Sequence, residues 1–437
     1  MKQKTHTHAE QLSLKTRTKA ILIGVYRSGE EKQACEDALD ELERLCDTYG
    51  LAVEAKLPCS IKKIDAAHFL GSGKLQEIAQ MVQERGADVA IFDEEITPHQ
   101  QRNLEKQLGV FVIDRTELIL EVFAQRAKTR EARLQIELAK CRYQLPRLKR
   151  LWTHLSRQTA TAGGGAYLKG EGEKQIEIDR RILRRQIETL KKEIEEVAEQ
   201  RSVQRSLRKR TAIPTFSIVG YTNAGKSTLL RVLTGAHVLV EDKLFATLDT
   251  TTRKFLLPNK QEILLIDTVG FIRKIPHTLV AAFKSTLEEA IHADILLHLI
   301  DISHPQAEEQ AEETMRVLKE LGAADQPIIT VLNKIDACTH PSLLAKLRLK
   351  NPKTIAISAL QGEGLSELLD RMMQEISLLR KIVTLRIPQS HYALVSTLMR
   401  EGRVVLCEYE ENDILMQVEI PARLEHKVAP FLAETFA

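Results

Sequence analysis

One octapeptide constrains this chain more than any other stretch: Gly220-Tyr221-Thr222-Asn223-Ala224-Gly225-Lys226-Ser227. It has the GxxxxGK[ST] spacing of a phosphate loop. TFSIVG (215–220) enters it as a buried strand, and STLLRVLTG leaves it as a helix. That strand–loop–helix context is the one the spacing requires. Phosphate oxygens need backbone N–H groups aimed at them, and small residues let the backbone wrap closely. Lys226 offers a point charge to the β- and γ-phosphates, and the Ser227 hydroxyl is a hard oxygen ligand for Mg²⁺. A strand feeding such a loop belongs to a helix-covered parallel sheet, so residues 211–380 are expected to form a doubly wound α/β domain.

Three further segments narrow the nucleotide. EILLID (262–267) reads as a strand ending in Asp267-Thr268-Val269-Gly270. An acid there can hold Mg²⁺ through water, and Gly270 can turn its N–H to a γ-phosphate. PIITVLN (327–333) ends in Asn333-Lys334-Ile335-Asp336. The Asp336 carboxylate can accept from guanine N1–H and its 2-amino group, a donor pair that adenine lacks. TIAISAL (354–360) presents Ser358-Ala359-Leu360, whose backbone N–H groups could meet guanine O6. All lie at strand C-termini, in the order a doubly wound sheet needs, and together they imply GTP binding. Between the loop's helix and the next strand stand Thr247, Thr250, Thr251 and Thr252. One of them must turn its hydroxyl to Mg²⁺ when the γ-phosphate is present, and spacing alone does not choose.

Around this domain the chain divides into a polar tail (1–19), an α/β unit (20–115), a helical hairpin (116–210) and, after 380, an α+β module (381–437). The α/β unit rests on the apolar runs AILIGVY (20–26), LAVEAKL (51–57), ADVAIFD (87–93) and VFVID (110–114), separated by helical patterns. GSGKLQE (71–77) lacks phosphate-loop spacing and reads as a helix start. In the hairpin, Leu134, Leu138, Cys141, Leu145, Leu148, Trp152 and Leu155 form one heptad stripe, and Leu183, Ile187, Leu190, Ile194 and Val197 a second. Pro146 should interrupt the first helix, and the Gly-rich TAGGGAYLKGEGE joins the two. The C-terminal module reads strand, helix (389–401), strand, strand, helix (421–433).

Charge is distributed unevenly. The total is 63 Lys+Arg against 60 Asp+Glu, which excludes a histone-like chain. Yet Arg126 to Arg150 holds nine basic residues and two acids, an excess that favours a polyanionic partner. Aromatics make up 4%, too few for a surface that stacks many bases. Six scattered cysteines without CxxC spacing argue against a disulfide framework or a metal knuckle. No apolar run nears the roughly 18 residues of a membrane span, and the polar N-terminus does not read as a secretory signal.

With GYTNAGKSTL, FATLD, DTVGFIR, NKID, ISAL and the upstream GGGAYLKGEGEKQIEIDRR in place, the chain resembles the HflX family of GTPases over nearly its whole length. The resemblance implies a cytoplasmic, monomeric GTPase, with peripheral membrane association a further option. It also implies binding to the large ribosomal subunit, its rRNA and proteins, and splitting or rescue of ribosomes under stress. A GTP-dependent scaffold in ribosome assembly or RNA handling, with incidental hydrolysis, is the competing reading. FATLD (Phe245, Ala246, Thr247, Leu248, Asp249) puts the Mg²⁺-linked threonine at Thr247 and has Asp249 close the nucleotide-contacting segment. The catalytic set is then Lys226, Thr247, Asp267, Gly270 and Asn223, with Ser227 and Thr247 on the metal. Where Ras-like enzymes carry a water-orienting Gln, this chain has Phe271, so slow intrinsic hydrolysis is expected. Relatives with Asn at the position of Asn223 can bind K⁺ beside the phosphates, which makes K⁺ a candidate cofactor.

Overall fold

Apolar runs form the first sheet, and those of its two central strands are too continuous to face water on either side. Its strands are β1 (Lys19–Tyr26), β2 (Ala52–Ser60), β3 (Val89–Phe92) and β4 (Phe111–Asp114), all parallel, in the order β2-β1-β3-β4. Helices α1 (Gly29–Tyr49), α2 (Ser72–Arg85) and α3 (Pro98–Leu108) alternate with them. GSGKLQE is indeed a helix start, with Gly71 preceding α2. A capping box of Thr97 and Gln100, with Pro98 in the first turn, begins α3. The computed structural model describes residues 18–148, 171–210, 213–235, 244–245, 247–248, 250–274, 292–323, 326–338, 341–351, 353–410, 412–421 and 424–433. These fall into two units. One comprises the described parts of Met1–Glu195, Glu241–Asp249 and Lys274–Lys284. The other comprises those of Glu196–Val240, Thr250–Arg273 and Ser285–Ala437.

The first unit continues through α4 (Arg115–Arg126) and α5 (Arg130–Gln144), which ends in a 3₁₀ turn, Leu145–Arg147, at Pro146. Helix α6 (Glu171–Arg210) follows, and its part within this unit, up to Glu195, runs back along α5. Gln186 donates to Glu137 at 2.8 Å and Arg130 pairs with Glu193 at 3.5 Å. The higher number falls as the lower rises, so the helices are antiparallel. Leu134, Leu138, Cys141 and Leu148 of the first stripe are buried, as are Ile187 and Leu190 of the second. Trp152, Leu155 and the Gly-rich loop through Gly170 lie outside the described residues.

The basic run needs correcting. Lys128, Arg130 and Arg133 are exposed, but Arg147 is interior. Its guanidinium stacks 3.6 Å from the Tyr143 ring centroid. It donates to the carbonyl of Ile96 (2.8 Å), to Gln101 Oε1 (3.2 Å) and to Asp114 Oδ2 (3.3 Å). Asp114, fully buried at the end of β4, also caps α4 by accepting from the Glu117 N–H (2.9 Å) and from the Tyr143 hydroxyl (3.0 Å). Lys140 is paired with Glu121 at 2.9 Å. Part of the positive run is therefore spent on the fold.

In the second unit a six-stranded sheet runs β10-β9-β8-β5-β7-β6. Its members are β5 (Thr215–Gly220), β6 (Thr251–Leu256), β7 (Glu262–Asp267), β8 (Ile295–Asp301), β9 (Ile328–Asn333) and β10 (Thr354–Ala356). All neighbours are parallel except β6, which is antiparallel to β7. Helices α7 (Lys226–Thr234), α8 (Ala307–Glu320), α9 (Pro341–Lys350) and α10 (Leu365–Leu379) intervene. Phe216, Ile218, Leu297, Leu299, Ile329 and Val331 alternate onto one buried face. The C-terminal module is an antiparallel sheet β11-β13-β12 of β11 (Arg380–Pro388), β12 (Arg403–Tyr409) and β13 (Asp413–Pro421), with α11 (Tyr392–Glu401) beside it. The helix expected over 421–433 is shorter: α12 (Glu425–Val428), then a 3₁₀ turn Ala429–Phe431. Pro430 has no N–H to continue α-helical bonding.

Candidate nucleotide-binding site

The parallel order puts the C-terminal ends of β5, β7, β9 and β10 at one edge of the sheet, and the sequence motifs follow those ends. The octapeptide leaves β5 and opens α7. Asn223 (φ 63°) and Gly225 (φ 95°) take left-handed backbone, which asparagine tolerates and glycine favours. A Cβ on Gly225 would stand 2.3 Å from Asn333 Nδ2. Asn223 is exposed, while Tyr221, Thr222, Ala224 and Lys226 are buried.

Lys226 Nζ donates to the carbonyls of Tyr221 (2.8 Å) and Gly220 (3.2 Å). Burial pushes its ammonium down to about 8, against the opposing pull of Asp267. A nearby polyphosphate would favour the charged form and reverse that loss. Ser227 Oγ donates to Asp267 Oδ2 at 2.6 Å. This pairing of hard oxygens at the end of β7 fits Mg²⁺, which takes few protein ligands and keeps waters and phosphate oxygens.

Thr268 Oγ1 donates to the Ile218 carbonyl at 2.7 Å, fixing the start of the Asp267–Gly270 turn. Val269 is buried behind it. A Cβ on Gly270 would lie 2.8 Å from Lys226 Nζ and 2.8 Å from both Cα and Cγ2 of Thr222. Gly270→Ala is therefore expected to slow single-turnover GTP hydrolysis about 100-fold, the scale of an ångström's misplacement. Unchanged turnover would remove Gly270 from the site.

Asn333 is the staple of the base side. Its Nδ2 donates to the Ala224 carbonyl (2.8 Å), and its Oδ1 accepts from the Ala359 N–H (3.0 Å). One buried amide thus joins the phosphate loop to the segment after β10. Lys334 (φ 65°) is anchored to Asp301 at 2.7 Å. Asp336, on the 3₁₀ turn Ile335–Ala337, is exposed. Two of the three backbone N–H groups of Ser358-Ala359-Leu360 have partners within the chain. The Ser358 N–H donates to the Glu363 carbonyl (3.0 Å) and that of Ala359 is held by Asn333. Leu360 is 73% exposed.

Of the threonine segment, Thr251 and Thr252 are bonded into β6, opposite Asp267 and Ile266. Phe245, Thr247 and Leu248 group with the first unit, where the Phe245 ring meets Phe123 edge-on at 4.4 Å. Ala246 and Asp249 lie outside the described residues. Motif reading named Asn333 but missed its stapling role. It placed Tyr221 in the phosphate loop through its backbone but gave its side chain no role, and the bulk of that side chain among small residues was the available signal.

Family models match in chain order: GTP-binding GTPase N-terminal over 36–124, GTP-binding GTPase Middle Region over 126–208, and 50S ribosome-binding GTPase over 215–334. A curated GTPase HflX from Chlamydia pneumoniae is 48% identical over 96% of this chain and 89% of its own length. The chain belongs to the HflX family of GTPases. HflX of Escherichia coli K12 is 40% identical, covering 92% of this chain and 93% of its own. A solved GTP-binding protein from Sulfolobus solfataricus, in complex with GDP, is 28% identical, covering 83% of this chain and 99% of that one, with a TM-score of 0.44. Membership in the HflX family makes GTP the substrate and hydrolysis the reaction.

Proposed function

We propose that this HflX-family GTPase works on the large ribosomal subunit, and that its nucleotide state drives the splitting or rescue of ribosomes under stress. The observation that carries the nucleotide half is the Asn333 amide, which ties the phosphate loop to the base-side segment. In this reading Gly220–Ser227 wrap the phosphates with backbone N–H groups, and Lys226 balances the β- and γ-oxygens. Ser227 would hold Mg²⁺, with Asp267 reaching it through water; the family motif gives Thr247 as a further ligand, and Asp336 would read guanine. Mg²⁺, when bound, would supply positive charge that offsets the negative charge of the β- and γ-phosphates. Gly270 presents its N–H to the γ-phosphate.

The ribosomal half is supported by the description of the model matching 215–334 and by the exposed Lys128, Arg130 and Arg133. Among the described residues no helix is long and apolar enough to cross a membrane. A ribosomal partner would place the chain in the cytoplasm. Phe271 is 1% exposed and cannot orient water. Fast hydrolysis therefore needs a group from outside the loop, either the ribosome or K⁺ held through Asn223. The same buried Phe271 favours, as second reading, a GTP-dependent scaffold. Turnover measured with and without purified large subunits, in KCl and in NaCl, separates these. The expected result is stimulation of about tenfold or more by the subunit, with a further gain in KCl. No response to subunits would leave the scaffold reading standing.

A further inference from the structure

The segment after Asp267 does not leave the site as a free loop. It is stitched to β5 upstream of Gly270 and to the phosphate loop downstream of it. Upstream, Thr268 Oγ1 holds the Ile218 carbonyl. Downstream, the Phe271 N–H donates to the Gly220 carbonyl (3.1 Å), and the Thr222 N–H donates to the Phe271 carbonyl (2.7 Å). Tyr221 and Phe271 thereby form a parallel bridge that prolongs β5. The last stitch comes from a side chain: the Tyr221 hydroxyl accepts from the Arg273 N–H at 2.7 Å. The Arg273 guanidinium is paired with Glu309 in the first turn of α8.

This accounts for two side chains the GTP-binding motifs leave without a role. Phe271 is buried because its backbone is one half of a bridge and its ring fills the interior beneath it. Tyr221 stands where small residues usually wrap phosphate, because its hydroxyl reaches past the loop to the chain two residues beyond Phe271. The distance from Gly270 to Lys226 is then set by bonds at Thr268, Phe271 and Arg273. Gly270 has little space to shift sideways, with Thr222 and Lys226 both where its Cβ would be.

We infer that Tyr221 is a positioning residue for the γ-phosphate. By holding the Arg273 N–H, it keeps the Gly270–Phe271 backbone at the height where Gly270 can meet the third phosphate of GTP. GDP has no group at that place and gains nothing from the stitch. The inference rests on the assignment of Gly220–Ser227 to the phosphates.

Tyr221→Phe keeps the ring and removes only the hydroxyl that accepts from Arg273. Affinities for GDP and for a non-hydrolysable GTP analogue, measured on the full chain with Mg²⁺, should show the analogue weakened roughly 3- to 10-fold relative to GDP, the span that one hydrogen bond covers. Exchange of the Arg273 amide hydrogen should quicken alongside. An unchanged ratio of the two affinities, or an equal fall in both, overturns the inference, since a merely structural hydroxyl would not distinguish the nucleotides. Wild-type protein that binds neither nucleotide would instead sink the phosphate-site assignment itself. Tyr221→Ala serves as a second variant and should lower the ratio at least as far.

Discussion

Asp336→Asn is expected to exchange guanosine for xanthosine nucleotides. Asp336 sits on a short 3₁₀ turn whose neighbours are fixed independently of its own side chain. Asn333 is stapled to Ala224 and Ala359, Lys334 is paired with Asp301, and the Ile335 N–H donates to the Ile357 carbonyl at 3.3 Å. An ionised carboxylate only accepts, which suits the N1–H and 2-amino donors of guanine. An asparagine replaces one acceptor with an N–H, which then faces a donor. Xanthine carries a carbonyl at that carbon, so the new donor finds a partner. Hydrogen bonds to a charged group contribute about 1.5–3 kcal/mol each. Losing two should weaken GDP about 100-fold or more, while the xanthosine diphosphate tightens. Asp336 is exposed, so thermal stability should stay within about 0.5 kcal/mol of wild type. Competition titrations with both diphosphates check this. GDP affinity that survives the substitution would show that Asp336 does not read the base.

How far the chain was legible differs between its two halves for physical reasons. Parallel strands buried on both faces read as uninterrupted apolar runs, so the cores of β1, β3, β5, β7, β8 and β9 were visible directly. The phosphate loop was visible because few residue types tolerate its backbone. Backbone donors were less legible: nothing in ISAL says that Ser358 and Ala359 spend their N–H groups on Glu363 and Asn333. The short α12 could have been foreseen, since Pro430 was in plain view. Arg147 could not. A guanidinium in a basic run looks the same in sequence whether it meets solvent or a buried carboxylate. What betrays it is the tertiary placement of Asp114, Ile96 and Gln101, drawn from three separate segments.

That placement makes Arg147→Met the substitution with the largest expected cost to stability. Burial lifts the Asp114 carboxyl from its ordinary 3.8 to about 6, with Arg147 the main force opposing the rise. A carboxyl that binds its proton more tightly when folded favours the fold below pH 4 and loses that contribution as pH climbs through 6. At pH 8 Asp114 is ionised, and Arg147 is the cation that makes this tolerable. Methionine fills much of the same volume but leaves the carboxylate with neutral donors alone. Breaking a buried pair in this way costs about 3–5 kcal/mol. The loss should shrink toward pH 5, where Asp114 can take up a proton instead. Urea unfolding of wild type and variant at both pH values, followed by circular dichroism, measures the difference. A loss equal at the two pH values would mean that Arg147 acts only through its stack on Tyr143 and its bonds to Ile96 and Gln101. Arg147→Lys should rescue little, because one ammonium cannot span Ile96, Gln101 and Asp114 together. The exposed Lys128, Arg130 and Arg133 should behave in the opposite way. Their neutral variants should leave stability within about 0.5 kcal/mol and instead flatten the salt dependence of the proposed binding to large ribosomal subunits. The two kinds of cation in one basic run are then told apart by which measurement each one moves.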